Sequence, residues 1–230
     1  MLKLIRMELK KNKFRGHWLG ILIANLVIMG LVALMYVDPG MEEESAMHTY
    51  ADALFFIDTL VRGTFIIYAS VLPAKFVIEE YKNKTISLMF TYPINRKKLM
   101  AAKLIIVFVW TLLVIILSNA VLGGALLAVN HYVGRIPGTP EIGELVEISL
   151  RTLLNAVAAA GLSLIPLLVG MWKKSVPGTI VTAVLIVAVI GSSTGGFSLY
   201  SIITVPLALA AIGIFIAYLS IRNVDKADLI

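Results

Sequence analysis

Asp58 and Arg62 stand four residues apart inside the apolar stretch ALFFIDTLVRGTFIIYASV. Residues at i and i+4 share a helix face, so these two charges can pair on one helix. A charge inside a membrane-spanning helix is costly and marks a functional site by default. Two readings are open for this pair. It lines a polar vestibule between subunits, or it neutralises itself in the outer half of the span, with Arg62 reaching toward the headgroups. Asn25 and Asn119 are lone amides in other apolar stretches. They either line the same path or hydrogen-bond neighbouring helices together. Asn25, Asp58, Arg62 and Asn119 are therefore the candidate substrate-pathway residues.

Other chemistry is missing from the sequence. No G-x-x-x-x-G-K-[ST] builds a P-loop for nucleotide, and no H-E-x-x-H binds zinc. His17, His48 and His131 fall near the ends of apolar stretches or in a loop. The pair Glu79-Glu80 thus lacks the histidines on neighbouring spans that intramembrane hydrolysis requires. The serines of GGFSLYS have no histidine to act as base. With no cysteine there is no disulfide and no thiolate metal site. The chain reads as a non-enzyme, with no catalytic residue, no metal and no cofactor of its own.

The elements that must hold these residues follow from composition. The 230 residues are 59% hydrophobic and only 15% charged, against about 25% charged in soluble domains. A surface that apolar belongs in lipid. A spanning helix needs roughly 20 apolar residues, and six stretches qualify: about 17–37, 53–75, 100–129, 148–171, 176–195 and 199–221. Runs such as VTAVLIVAVI do not alternate, which excludes the strands of a membrane barrel.

The net charge of +6 is no nucleic-acid signal, because the charge is sorted by side. Lys and Arg near span ends mark the cytoplasmic face. Of the 20 basic residues, all but Arg62, Arg135 and Arg151 fall in the N-terminal arm, in 75–103, at Lys173-Lys174 or in the C-terminal tail. The segment 38–52 holds acids and no base. Six spans with both termini cytoplasmic fit this alternation. Within residues 1–15, Leu2, Ile5 and Leu9 share a face beside Lys3, Arg6, Lys10 and Lys13, the pattern of an interfacial helix on anionic lipid. A plain topogenic charge cluster is the alternative. The first stretch, too long for a secretory signal, reads as an uncleaved anchor. Glu147 and Arg151 are spaced to pair at the outer interface. Ala156 and Ala160, followed by Gly161, permit close helix packing. Pro166 and Pro206 are expected to kink spans four and six.

One polar segment interrupts the oil: EEYKNKTISLMFTYPINRKKLMAAK, residues 79–103. Thr85 can cap a helix start. Ile86, Met89 and Phe90 then share one face, Pro93 stops the helix, and Asn95 can cap the next. A short cytosolic helix with an exposed apolar face suits a groove on a partner; the alternative is a helix lying on lipid. This segment resembles the cytoplasmic loop of type-2 ABC exporter permeases, in E-Y-K-N-x-T, a short apolar helix, then Y-P-I-N-R-K-K-L. The layout of the whole chain is similar to that family's too. Lys84 stands where the family usually has Gly.

The resemblance implies an all-α integral membrane permease, one domain over 1–230. Its parts would be six transmembrane helices, an N-terminal interfacial helix and a cytoplasmic coupling helix between spans two and three. It implies ATPase-coupling roles for Glu79, Glu80, Tyr81, Thr85, Ile86, Met89, Phe90 and Pro93. The implied partners are cytoplasmic ABC ATPase subunits, which bind ATP and Mg, together with a second permease copy or paralogue and membrane lipids. The expected location is the bacterial plasma membrane. Export of antimicrobial peptides, toxins or drugs is the expected activity. Export of lipid or polysaccharide, or a non-transporting scaffold that recruits an ATPase, is the alternative.

Overall fold

Helix starts in this chain are set by local capping as much as by hydropathy. A computed structural model describes residues 15–37, 49–73, 96–138, 141–166, 169, 175–191, 193–194, 197–198 and 204–223. Six helices occur there: α1 (Arg15–Val37), α2 (Tyr50–Pro73), α3 (Arg96–Val133), α4 (Ile142–Leu162), α5 (Val176–Gly191) and α6 (Thr204–Asn223). Between α5 and α6, β1 (Ser193–Thr194) pairs antiparallel with β2 (Phe197–Ser198). Two glycines separate these strands in sequence, the residue type that tight hairpin turns favour.

The helices α1 to α4 are long and apolar enough to cross a membrane, whereas α5 is a shorter apolar helix. In α1 the apolar span His17–Tyr36 has 20 residues. At 1.5 Å per residue such a span measures roughly 30 Å, the thickness of a bilayer's hydrocarbon core. The segment expected to couple to an ATPase, with Glu79, Glu80, Tyr81, Thr85, Ile86, Met89, Phe90 and Pro93, lies outside the described residues, as do 1–14 and the C-terminal tail.

Several boundaries differ from the hydropathy reading. Helix α2 begins at Tyr50, ahead of the apolar run, because Thr49 caps it. The Asp52 amide donates to Thr49 Oγ1 at 3.1 Å, and that hydroxyl donates to Asp52 Oδ2 at 2.7 Å, a reciprocal cap. Helix α4 begins at Ile142 with polar turns that hydropathy ignores. Glu147 and Arg151 there do pair, at 3.8 Å and largely exposed, which contributes little in water. The same helix ends at Leu162 in a turn over 163–164, after which Ile165 and Pro166 are helical again. Pro166 explains the turn: its ring clashes with the carbonyl four residues earlier and it has no N–H to give. The turn tightens instead, with the Leu164 amide donating to the Gly161 carbonyl at 3.2 Å. Pro206 is the third residue of α6 as described, and 199–203 ahead of it lie outside the described residues.

Helix α2 is the hub and packs on α1, α3, α4 and α5. The main core joins Ile21, Ile28 and Val32 of α1, Ile57, Val61 and Phe65 of α2, and Ile115 and Leu122 of α3. Helices α4 and α6 make the most intimate pair. Ala156, Ala159 and Ala160 are fully buried, and a Cβ built on Gly161 would lie 2.9 Å from the Ala210 Cα. A Cβ on Gly213 would strike the Gly161 carbonyl outright. Small residues thus let two backbones touch, as expected for α4. Outward, the bundle shows Leu19, Leu22, Leu26 and Leu34 of α1, with Leu34 70% exposed. Oil faces out while the charges of α2 face in, the arrangement for a lipid solvent.

Candidate functional site

The charges of α2 lie in the middle of this bundle. Asp58 and Arg62 are each 2% exposed, and Arg62 Nε lies 3.0 Å from Asp58 Oδ2. The i,i+4 pairing is therefore made. Arg62 does not reach toward headgroups: Nε also donates to the Asp58 carbonyl at 3.2 Å, and a terminal nitrogen donates to Thr59 Oγ1 at 3.2 Å. Its guanidinium carbon lies 6.0 Å from the centre of the Phe55 ring, within reach of a cation–π contact. From Tyr50, Asp58 is eight residues along α2, or roughly 12 Å at 1.5 Å per residue. That depth is well inside the bundle.

Two neighbouring helices complete the site. Asn119 of α3 donates to Asp58 Oδ1 at 3.2 Å, and Asn155 of α4 donates to Asp58 Oδ2 at 3.0 Å. Asn119 also donates to the Ile115 carbonyl of its own helix at 3.1 Å. The carboxylate thus accepts from three side chains on three helices. Burying an ion pair is favourable only with such supplementary hydrogen bonds. The knot is electrically neutral, and it pins α2, α3 and α4 to one another.

Of the four candidate residues, the structure brings Asp58, Arg62 and Asn119 together. Asn25 is placed one helix away. It donates to Ser118 Oγ at 3.0 Å and to the Ile21 carbonyl at 2.9 Å, so it ties α1 to α3. Its Oδ1 is buried with no hydrogen-bond partner among the described residues. Ser118 and Asn119 are consecutive, so α3 serves α1 with one residue and α2 with the next. The result is a polar layer crossing α1 to α4.

Asn155 was not singled out by sequence. It is an amide beside the alanines of NAVAAAGLS, and small neighbours are what allow an amide to meet another helix closely. A second missed residue is Asn130, near the end of α3. Its Oδ1 accepts from the Ile136 amide at 2.9 Å and the Arg135 amide at 3.1 Å, and also from the Tyr36 hydroxyl. Its Nδ2 donates to the Ile136 carbonyl at 3.1 Å and to the Tyr50 hydroxyl. Arg135 donates to the Tyr36 carbonyl and lies over the Tyr36 ring. Asn130 therefore clasps the ends of α1, α2 and α3. The available signal was Gly134 four residues on, whose φ of 66° is the left-handed cap that ends α3.

This arrangement defines a multi-pass helical membrane protein with a charged knot at its centre. The chain belongs to the ABC-2 transporter family: residues 4–189 match the pattern described as "ABC-2 family transporter protein". It is also 42% identical over 227 residues to "Uncharacterized protein YcbO" of Bacillus subtilis (strain 168), a match covering 99% of this chain and 100% of that one. No solved structure matches it. Members of this family are the transmembrane permease component of a transport system and not its catalytic part, and membership implies association with ABC ATPase components.

Proposed function

We propose that this chain is one half of an ATP-driven exporter, with six spans and both termini in the cytoplasm. Residues 79–93 dock a separate ATPase that binds ATP and Mg. A second copy or a paralogue supplies the other half. Cargo crosses between the two halves, and antimicrobial peptides, toxins or drugs are its class. The observation that carries this reading is the family match, whose range includes the polar segment and the charged residues of α2.

The bundle geometry gives the reading a mechanical basis. The Asp58–Arg62 knot ties α2 to α3 and α4. A buried polar network in a low-dielectric medium rigidifies the elements it joins. A push on the start of α3, which follows the docking segment directly, is thereby transmitted to α2 and α4 as rigid motion. The test is ATP-dependent uptake of a labelled cationic peptide into inside-out vesicles holding the permease and its ATPase. Uptake abolished by Asp58→Ala, with both subunits still assembled, supports the reading. ATP-independent uptake, or equal uptake without the permease, overturns it.

A further inference from the structure

An apolar groove runs between α1, α2 and α3 at the end of the bundle clasped by Asn130. Its volume is about 360 Å³, within the range of about 300–1,000 Å³ typical of small-ligand sites. Its floor is the buried face of Val32, Ile57, Leu122 and Leu126, while Val129 on the rim is 45% exposed. The groove therefore opens sideways, where a bilayer would lie. Arg135 stands among the lining residues as the one charged group. It is exposed, and among the described residues no carboxylate pairs with it.

Depth fixes what can fill this groove. Along α3 the lining runs from Leu122 to Val133, roughly 16 Å at 1.5 Å per residue. That is half of a hydrocarbon core about 30 Å thick, so the groove is one leaflet deep. Beside the lining residue Val133 on α3, Tyr132 is 87% exposed, an aromatic of the kind that marks the headgroup level. Arg135 lies just beyond, at the height of lipid phosphates. A guanidinium binds phosphate oxygens with two parallel hydrogen bonds. One of its nitrogens is already fixed on the Tyr36 carbonyl, which holds the fork in place.

We infer that this groove binds an anionic phospholipid from the leaflet at that end of the bundle, with one acyl chain along Val32, Leu122 and Leu126 and the phosphate on Arg135. The inference rests on membrane insertion alone. It is independent of cargo, of ATPase docking and of which end faces the cytoplasm. A lipid held there splints the α1–α2–α3 seam, since among the described residues α1 packs chiefly on α2 and α3.

The test uses the full chain purified in a neutral detergent. Thermal unfolding is followed with added phosphatidylglycerol or phosphatidylcholine, since a ligand bound to the native state alone raises the midpoint. Phosphatidylglycerol is expected to stabilise at lower concentration. Arg135→Gln should weaken its apparent affinity by about tenfold, the value of one charge-assisted hydrogen bond, with little change for phosphatidylcholine. Phosphatidylglycerol carrying a mid-chain diazirine should label peptides of α1 and α3 around Val32 and Leu126. Val129→Trp should block that labelling, and its folding is checked by the unfolding transition itself. Equal stabilisation by both lipids, undiminished in Arg135→Gln, overturns the inference. So does labelling spread evenly along the exposed face of α1. A photoreactive residue at Ala33 that joins two protein chains and no lipid overturns it too, because the groove's occupant is then a second copy.

Discussion

Asn155 of α4 donates its amide to Asp58 Oδ2, the same oxygen that Arg62 engages from the next turn of α2. One carboxylate oxygen thus joins an ion pair within a helix to a hydrogen bond between helices. Removing either side of that arrangement has different consequences, and these can be separated. Asp58→Ala leaves a guanidinium buried among apolar side chains. Breaking a buried pair in this way costs about 3–5 kcal/mol, whereas replacing both partners is often close to neutral. The double variant Asp58→Ala, Arg62→Ala is therefore expected to unfold later than the single one in a detergent titration. Additive losses would mean that the two residues do not act as a pair.

Asn155 itself offers a graded probe. Asn155→Ala removes one hydrogen bond to a charged group, an expected loss of about 1.5–3 kcal/mol. Asn155→Asp sets a second carboxylate 3.0 Å from the first, and like charges at that distance cannot both ionise at neutral pH. The expected order of stability is wild type, then Asn155→Ala, then Asn155→Asp, read from unfolding midpoints. Asn119→Ala should fall between wild type and Asn155→Ala, because Asn119 reaches Asp58 through a longer contact of 3.2 Å and shares its amide with Ile115. If Asn155→Asp is as stable as wild type, the knot tolerates charge and does not hold α4.

The α4–α6 seam is tested by two glycines with opposite surroundings. Gly213→Ala drives a methyl into the Gly161 carbonyl, and backbone cannot yield as a side-chain tip can. Overpacking of this kind costs about 1–3 kcal/mol or more. Gly30→Ala meets nothing within 4 Å and gains helix propensity. The first should lower the unfolding midpoint and the second should leave it unchanged or raised. Equal behaviour of the two would remove the case for backbone contact between α4 and α6.

What could be read in the sequence was local. The Asp58–Arg62 pair follows from i,i+4 spacing, the start of α2 is written in Thr49 and Asp52, and the close packing of α4 is written in its alanines. Asn155 meets Asp58 from 97 residues away, and no spacing rule joins two helices across that interval. Asn130 is the same case, since its partners Tyr36 and Tyr50 lie on different helices whose ends converge only in the fold. Hydropathy also misplaced the start of α4. It counts oil and ignores the polar first turns, whereas the break at 163–164 just ahead of Pro166 is where a proline disturbs a helix.

The sorting of basic residues makes a prediction about sidedness. Single cysteines at Glu43 and Thr139 are expected to react with an impermeant thiol reagent in intact cells, and cysteines at Asn83 and Asp225 are not. The native chain has no cysteine, so the background is clean. Labelling of Asn83 from outside would sink the arrangement of six spans with both termini cytoplasmic.

The last prediction concerns residues 86–90, ISLMF, in the segment between α2 and α3. If an ATPase grips this patch, its oil serves binding and not insertion. Met89→Asp with Phe90→Asp puts two charges where a protein groove would have to desolvate them. Burial of side chains this size is worth about 1.5–3 kcal/mol each, and a desolvated, unpaired charge adds to the loss. At tenfold per 1.4 kcal/mol, the ATPase should bind at least roughly a hundredfold more weakly. Helices α1 to α6 are untouched, so membrane levels should stay normal while co-purifying ATPase and transport disappear. Lysine separates this from a helix resting on lipid, because lysine is welcome beside anionic headgroups and is not in an apolar protein groove. A Met89→Lys, Phe90→Lys variant that keeps both its ATPase and its transport would assign the segment to the lipid surface.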